Sequence, residues 1–238
     1  MISFFRKPGN EVCQQYLTET RRKLPRKTPA KTIRFVALDT ETSGLLPNKD
    51  RILSIALFNI TDGQIDVASS RKWIVFQPDT GATSATAIHG ILPCETREGT
   101  AEKEVLKELL PLLSGAILVG HHIRFDAAIL NNALLRHLKI RMHNPLIDTA
   151  ILAMNTLIPF HRSGYANQHP PSLEDVCAHL NLPVIARHTA EGDAFLSAEI
   201  FVMLCGRIRK RLSRRRIHPR DLQLRDLPVC LPKKLTAG

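Results

Sequence analysis

Apolar and polar positions follow two different periods along this chain, and the first part follows the period of β-strands. Residues 32–39, TIRFVALD, form an apolar run that predicts a buried strand. The segments RILSIALFNI (51–60) and IDVASSRKWIVF (65–76) predict two more strands, with TDGQ as the turn between them. Because short turns join neighbouring antiparallel strands, these three segments predict an antiparallel meander.

After this meander the hydrophobic period is mostly helical. TSATAIHGI predicts a short helix that ends at Gly90, and GTAEKEVLKELLPLLSG predicts an amphipathic helix that starts at Gly99 or Thr100. AILVGH predicts a short apolar strand before the helix FDAAILNNALLRHL, and PLIDTAILAMNTL predicts a brief strand followed by a helix. Two further helices follow: SLEDVCAHLNL, with a capping box from Ser172 and Asp175, and the long TAEGDAFLSAEIFVMLCGRIRKRL.

This order of elements predicts an α/β fold. We expect a mixed sheet, a three-stranded antiparallel meander plus short parallel strands, flanked by helices. Residues 159–171 predict a polar loop. The chain divides into a basic N-terminal arm or helix with a linker (1–31), a main domain (32–206) and a basic C-terminal tail (207–238), of which 217–238 is expected to be extended or partly disordered.

The net charge of +11 is unevenly distributed. Residues 1–31 contain eight Lys/Arg and two acidic residues, giving +6, and residues 207–238 contain eleven Lys/Arg and two acidic residues, giving +9. The remaining 32–206 therefore carry −4. Basic ends around an acidic centre are typical of a protein that binds a polyanion, and they are equally compatible with solvated tails that promote solubility.

The sequence predicts neither a membrane span nor a secretory signal. No apolar run approaches the roughly 20 residues that a transmembrane helix requires, and the first residues lack the apolar centre of a signal peptide. We therefore expect an intracellular, cytoplasmic protein. The five cysteines are scattered without a C-x-x-C pair, which predicts reduced thiols and argues against a structural zinc site.

Four carboxylates lie at element boundaries next to apolar residues. Asp39 and Glu41 end the first predicted strand, and as residues i and i+2 they point to the same face, where their charges repel unless a cation lies between them. Asp126 and Asp193 lie where a helix begins. Alternatively, the pair is exposed at a strand end and the two aspartates only favour the positive ends of their helices.

Carboxylates that converge on one point form a site for a hard cation. Such a site suits Mg²⁺ or Mn²⁺ better than zinc, which prefers nitrogen and sulfur ligands. Two such ions would neutralise four carboxylates, and two ions are the arrangement that stabilises the attacking and leaving oxygens of phosphodiester cleavage.

Three segments also resemble a known family. FVALDTETSGL, LVGHHIRFDAAIL and RHTAEGDAFLSAEIF are similar, in order and spacing, to the three exonuclease motifs of the DEDD superfamily of 3′→5′ exonucleases. The resemblance is to its DEDDh subgroup, which includes the proofreading epsilon subunit of bacterial DNA polymerase III, and it spans about residues 33–205. It implies a ribonuclease H-like fold and the release of nucleoside monophosphates from single-stranded or frayed 3′ ends, including proofreading or repair of DNA.

The resemblance also implies roles for individual residues. Asp39 would bridge two Mg²⁺ or Mn²⁺ ions, Glu41 would bind one of them and position the attacking water, and Asp126 and Asp193 would complete the metal ligands. His188, five residues before Asp193, would act as general base, a role that histidine often has in catalysis.

Substrate contacts are implied near the first two motifs. His122 stands where the family usually has asparagine in G-H-N, which puts substrate handling there in question. The residues implied to bind substrate are Thr42, Ser43, Gly44, Leu45, His89, His122 and Phe125.

Other functions remain open at this stage. The chain could be a nucleic-acid-binding or polymerase-associated module with weak or no catalysis, an exoribonuclease of the same family, or an endonuclease of the related ribonuclease H-like fold. The expected partners are nucleic acid and a DNA polymerase subunit, and the sequence leaves the oligomeric state undetermined.

Overall fold

The computed structural model describes residues 11–22, 28–78, 85–161, 169–213 and 217–222. Their centre is a five-stranded mixed sheet in the order β3-β2-β1-β4-β5. Strands β1 to β3 pair antiparallel, whereas β4 and β5 run parallel to β1. The predicted α/β class, a meander plus short parallel strands, is confirmed. The strands are β1 Phe35–Thr42, β2 Ile52–Thr61, β3 Gln64–Ile74, β4 Ile117–Gly120 and β5 Leu146–Asp148.

Eight α-helices surround the sheet in the described part of the chain. Short 3₁₀ helices lie at Ala30–Thr32, Ile158–Phe160 and Pro219–Leu222. The α-helices are α1 Glu11–Thr20, α2 Thr86–His89, α3 Pro93–Arg97, α4 Glu102–Leu113, α5 Arg124–Leu138, α6 Thr149–Thr156, α7 Leu173–Leu180 and α8 Ala190–Arg211.

The two faces of β1 pack against different helices. Val36 and Leu38 point into a core with residues of α1, α4 and α5. Phe35 and Ala37 point to the other face, where the rings of Phe35 and Phe201 of α8 lie 4.9 Å apart. Burial on both faces explains why β1 has an unbroken apolar run instead of the polar alternation of a one-sided strand.

The start of α4 differs from the prediction. The helix begins at Glu102, not at Gly99 or Thr100. Thr100 instead extends the sheet, because its N–H donates to the Ile74 carbonyl at 2.9 Å and its carbonyl accepts from the Phe76 N–H at 2.8 Å. Helix α3, a single short turn that begins at Pro93, was not predicted from the sequence. The start of α4 was mispredicted because Thr100 pairs with a distant strand. Helix α3 was not predicted because it is too short to show a helical period.

Helix α1, which belongs to the predicted N-terminal arm, is part of the folded domain. Cys13 and Tyr16 of α1 are buried in the core, and the Tyr16 hydroxyl donates to Asn144 Oδ1 at 2.6 Å. The predicted helix in 1–31 is thus confirmed for Glu11–Thr20, whereas residues 1–10 and 23–27 lie outside the described part.

The C-terminal region also differs from the prediction. The expected extended tail at 217–238 is wrong for residues 217–222, since Ile217 and Leu222 are buried against α8 and its neighbours. Ile217 accepts a hydrogen bond from Ala30 N–H at 2.8 Å, which joins both ends of the described chain. Residues 223–238 lie outside the described part, as do 162–168 of the predicted polar loop. The predicted boundary at 206 falls inside α8.

Candidate active site

Three of the predicted acidic residues form a cluster where β1 meets the start of α8. Carboxylate oxygens of Asp39, Glu41 and Asp193 lie within 4.8 Å of one another. Asp39 and Glu41 belong to the same alternating set of β1 positions as Phe35 and Ala37, so they face α8. The register of β1 against β2 shifts directly after Glu41, an irregularity of the kind that often lies beside active sites.

The fourth carboxylate, Asp126, is held by a neighbouring β1 residue outside this cluster. Its Oδ1 accepts hydrogen bonds from the backbone N–H of Thr40 at 2.9 Å and from the Thr40 hydroxyl at 2.6 Å. Thr40 belongs to the opposite face of β1, the face covered by α5. Asp126 therefore approaches the site from the α5 side while remaining close enough to raise the pKa of Asp39.

An arginine supplies positive charge beside the cluster. Arg187 pairs through Nη1 with Asp193 Oδ2, and its Nε donates to Glu174 Oε1 at 2.7 Å. Arg187 also lowers the pKa values of Asp39 and Glu41, although not enough to offset burial and the surrounding carboxylates. The spacing of Asp39 and Glu41 predicts a positive charge near them, but the sequence does not identify Arg187 as its source.

The carboxylates are arranged so that full ionisation is unfavourable without a cation. Burial, followed by the charges of Asp126, Asp193 and Glu41, raises the pKa of Asp39 well above its usual range. Burial and then Asp193 raise the pKa of Glu41 to about 7. Burial also raises the pKa of Asp126 to about 7, despite the Thr40 hydrogen bonds, and raises that of Asp193 despite Arg187.

The donor set fits a divalent metal ion. Asp193 is only 8% exposed, and its Oδ1 has no hydrogen-bond partner among the described residues. A buried carboxylate oxygen without a partner is costly, and a bound cation would remove that cost. Three carboxylates provide hard oxygen ligands, which Mg²⁺, Mn²⁺ and Ca²⁺ prefer.

A cleft gives access to the acidic residues. It has a volume of about 200 Å³, and its walls include Asp39, Asp193, Arg187, Glu174 and His122. A second cleft of about 210 Å³ lies at the other end of β1, near Phe35 and the β2–β3 turn, and Asp62 is the acidic residue in its lining. Chemistry rather than size therefore identifies the first cleft as the candidate site.

The family assignment comes from comparison with known sequences. A family model described as an exonuclease, RNase_T, matches residues 36–201, which include nearly all of β1, the acidic cluster and the first half of α8. This chain belongs to that exonuclease family. The acidic cluster thus lies within the region that defines the family.

Curated proteins that are similar to this chain are named as DNA polymerase III proteins. A DNA polymerase III subunit epsilon-like protein of Rhodobacter capsulatus is 32% identical over 78% of this chain, which covers 25% of that protein. A DNA polymerase III PolC-type protein of Thermotoga petrophila is 29% identical over 74% of this chain and 12% of its own length. The DNA polymerase III subunit epsilon of Treponema pallidum is 25% identical over 72% of this chain and 76% of its own length. The chain thus spans a quarter or less of the first two.

Solved structures support the fold. Exonuclease I of E. coli, in complex with a dT13 oligonucleotide, is similar with a TM-score of 0.62 and 20% identity over 76% of this chain and 43% of its own. A moderately thermophilic exonuclease I of Methylocaldum szegediense has a TM-score of 0.59, with 19% identity over 81% of this chain and 42% of its own. At these identities the likeness concerns the fold, and it agrees with a ribonuclease H-like sheet.

The loop after the acidic pair uses its hydroxyls internally. The Thr42 hydroxyl donates to the Gly44 carbonyl at 2.7 Å, and the Ser43 hydroxyl donates to Asp50 Oδ1 at 2.9 Å. Leu45 is 83% exposed at the tip of this loop. The structure thus assigns Thr42 and Ser43 a role in loop shape, and Leu45 is the residue of this set that projects towards solvent.

The other predicted substrate residues differ in accessibility. His89 is buried, with its Nδ1 accepting from the Ile91 N–H at 3.0 Å, whereas Phe125 is half-buried. His122 is exposed and has a left-handed backbone with φ of 57°. Asparagine and histidine are both enriched among the few non-glycine residues that adopt this conformation, so this backbone accepts either residue at position 122.

His188 lies on the loop before α8. Its side chain is exposed, and its backbone φ of 59° is left-handed. Thr189 follows as the N-cap of α8, with its hydroxyl accepting from the Gly192 N–H at 3.1 Å. Among the described residues, the group of metal-ligand candidates at this site consists of Asp39, Glu41 and Asp193 and does not include His188.

Several residues at the site were missed from the sequence. Asp148 accepts from the His122 N–H at 3.1 Å and caps α6 through the Ala150 N–H at 3.0 Å, so it fixes the His122 loop. Thr40 holds Asp126, and Arg187 joins Asp193 to Glu174. Of these residues, only Arg187 could have been found from the sequence, because it lies next to His188. The contacts of Asp148 and Thr40 join segments that are distant in the sequence.

Proposed function

We propose that this chain is a divalent-metal-dependent 3′→5′ exonuclease of the DEDDh type, which releases nucleoside monophosphates from single-stranded or frayed 3′ ends. The observation that carries the proposal is the cluster of Asp39, Glu41 and Asp193, two of which, Asp39 and Asp193, line a cleft, in a chain that belongs to an exonuclease family. Water attacks the terminal phosphorus, the bond to the preceding 3′ oxygen breaks, and a nucleoside 5′-monophosphate leaves.

In this proposal, different residues bind the metal ions and accept the proton of the attacking water. Asp39, Glu41, Asp126 and Asp193 would hold two Mg²⁺ or Mn²⁺ ions, which when bound neutralise the acids and stabilise the charge that develops on the phosphate oxygens. His188, exposed beside the first turn of α8, would accept the proton of the attacking water.

Substrate binding would combine a sequence-independent base contact with phosphate contacts. Leu45 would press on the terminal base, Phe125 and His122 would line its path, and His89 would support the neighbouring wall. An apolar wedge accepts any base, as expected for a nuclease without sequence preference. The basic segments 1–31 and 207–238 would add phosphate contacts that weaken with salt.

We propose DNA ends as the substrate and a DNA polymerase as a partner. The support is that the relatives from Rhodobacter capsulatus, Thermotoga petrophila and Treponema pallidum are named as DNA polymerase III proteins, and that exonuclease I of E. coli has been solved with oligonucleotides. Such a role corresponds to a cytoplasmic location. In the described residues, no helix is long and apolar enough to span a membrane.

The direct test is digestion of 5′-end-labelled oligonucleotides with Mg²⁺ or Mn²⁺. We expect stepwise 3′ shortening by the wild type and a loss of at least about a hundredfold in kcat for Asp39→Asn, since catalytic electrostatic groups typically contribute that much. Parallel rates on single-stranded DNA, mismatched duplex DNA and RNA identify the preferred substrate.

A matched control is Asp62→Asn. Asp62 is exposed in the β2–β3 turn, away from the acidic cluster, and its φ of 52° suits asparagine equally well. We expect wild-type activity from this variant. Undiminished digestion by Asp39→Asn, or no digestion by the wild type with either metal, would refute the proposed function.

A further inference from the structure

Arg187 makes contacts that a general structural role does not explain. Its guanidinium bridges two acids that differ in setting: Asp193 belongs to the metal-ligand cluster, whereas Glu174 in the first turn of α7 lies outside it. The side chain of Asp193 is 11% exposed and that of Glu174 is 47% exposed. Arg187 thus connects a buried candidate ligand to a solvated carboxylate.

The backbone around Arg187 is held in an unusual conformation. Ala186 and His188, on either side of it, both have left-handed φ values, 53° and 59°. The Ala186 carbonyl accepts from the Thr189 hydroxyl at 2.7 Å and packs against Gly192. Non-glycine residues adopt such φ values only where the surroundings impose them. The first turn of α8 therefore fixes the direction from which Arg187 approaches the acids.

The two carboxylate oxygens of Asp193 differ, because only one of them is paired with Arg187. Oδ2 pairs with Arg187, while the buried Oδ1 has no partner in the described part of the chain. A divalent ion bound by Asp39, Glu41 and Asp193 would meet the positive charge of Arg187 at the same carboxylate. Two cations at one carboxylate repel each other, so occupation by the ion favours loosening of the Arg187 contact.

We propose that Arg187 is the resident counter-cation of the acidic cluster, competing with the metal ion for Asp193, and that Glu174 is a positioning residue that retains the guanidinium when Asp193 binds the ion. This inference rests on the proposed metal site and goes beyond it, because it states what sets the strength of that site. Without metal, Arg187 limits repulsion among the acids; with metal, its contact with Glu174 keeps its charge in the cleft.

Competition between Arg187 and the metal ion predicts that substitutions of Arg187 and of Glu174 change the metal affinity in opposite directions. Arg187→Met removes the competing charge, so the metal dissociation constant should fall about tenfold, the size expected for one charge-assisted contact. Glu174→Gln leaves Arg187 with Asp193 as its only fully charged partner, so the dissociation constant should rise about two- to threefold, a small effect because Glu174 is solvated. The double variant should match Arg187→Met, since Glu174 acts only through Arg187.

The test is titration calorimetry of the purified full chain with Mn²⁺ alone, without nucleic acid. The matched control is Arg136→Met, which removes an arginine that pairs with Glu102 at 2.7 Å between α4 and α5, far from the cluster in the fold. Its metal affinity should equal that of the wild type. If Arg187→Met does not fold, Arg187→Gln, which also removes the positive charge, should lower the metal dissociation constant in the same way.

The outcomes separate this inference from the proposed function. Tighter binding by the Arg187 variant, weaker binding by Glu174→Gln and equality of the double variant with Arg187→Met support it. An unchanged or weaker affinity of the Arg187 variant, or effects of the two changes that simply add, overturns it while the metal site stands. Absence of Mn²⁺ binding by every variant and by the wild type overturns both.

Discussion

At the scale of a single residue, Glu41 shows how burial and neighbouring carboxylates raise a pKa at the site. The strand places it beside Asp39 and opposite Asp193, and burial makes its ionised form unfavourable. Its pKa rises from 4.5 to about 7, so the metal-free folded chain binds a proton more tightly at this position than the unfolded chain does. Protonation, Arg187 and a metal ion are therefore alternative ways to relieve the same repulsion.

This pKa shift predicts a pH dependence of stability. Because the folded-state pKa of Glu41 lies above the unfolded value, its contribution is full below about pH 4.5 and is lost as the pH rises through about 7. We expect the free energy of unfolding of Glu41→Gln to exceed that of the wild type increasingly between pH 5 and 8. Urea unfolding in the presence of a chelator measures it.

Glu98→Gln serves as the control for this comparison. Glu98 is exposed after α3, outside the acidic cluster, so its substitution should leave the pH profile parallel to that of the wild type. A Glu41→Gln profile that also runs parallel to the wild type would contradict the assigned origin of the shift.

At the scale of one element, the first turn of α8 connects backbone packing to the site. The turn carries Asp193, and its N-cap Thr189 is preceded by the loop that contains Arg187 and His188. Gly192 lets this loop lie against the helix, because a Cβ added there would come within 2.1 Å of the Ala186 carbonyl oxygen. The geometry of three site residues thus depends on the absence of one side chain.

We predict that Gly192→Ala displaces the loop that contains Arg187 and His188. A clash with backbone cannot be relieved by rotating a side chain, so the substitution should lower the free energy of unfolding by about 1–3 kcal/mol. It should also reduce exonuclease kcat because His188 and Arg187 move. Urea unfolding and oligonucleotide digestion measure the two effects.

Gly206→Ala in the same helix is the matched control. No atom lies within 4 Å of a Cβ added at Gly206, and glycine in a helix interior is less favourable than alanine by roughly 0.5–1 kcal/mol. This substitution should therefore stabilise the protein and leave kcat unchanged. A stabilised, fully active Gly192→Ala variant would show that the close approach does not constrain the loop.

At the scale of the whole molecule, the N-terminal helix closes one side of the core. Tyr16 is fully buried. Its hydroxyl donates to Asn144 Oδ1 at 2.6 Å and accepts from the His143 N–H at 2.9 Å. Asn144 in turn donates to the carbonyls of Leu113 and Ala116 at 2.7 and 2.9 Å. One side chain therefore joins α1 to the segments before β4 and β5.

Tyr16→Phe should measure how much the hydrogen bonds of the Tyr16 hydroxyl contribute to the free energy of unfolding. The ring still fills its place, but Asn144 Oδ1 and the His143 N–H lose their partner, which predicts a loss of about 1–3 kcal/mol in the free energy of unfolding. Thr18→Val removes an exposed hydroxyl from the same helix and should change stability by less than about 0.5 kcal/mol. Equal effects of the two changes would mean that α1 is not integral to the core.

The sequence by itself determined the elements with strong local patterns. The burial of β1, the three-stranded meander and the capping box of Ser172 and Asp175 were all predicted from local patterns of residues. The period of a strand also placed Asp39 and Glu41 on one face, and the motif resemblance located Asp126, His188 and Asp193. These features depend on local geometry, which the order of residues specifies directly.

Tertiary structure decided how the predicted parts meet. It brought Asp193 to the Asp39 face of β1, left Asp126 on the Thr40 side, and placed Arg187 between Asp193 and Glu174. It also incorporated α1 and residues 217–222 into the core, where composition alone had predicted an arm and a tail. Such contacts join segments far apart in the chain, so their energies arise from packing and long-range charge that no local pattern encodes.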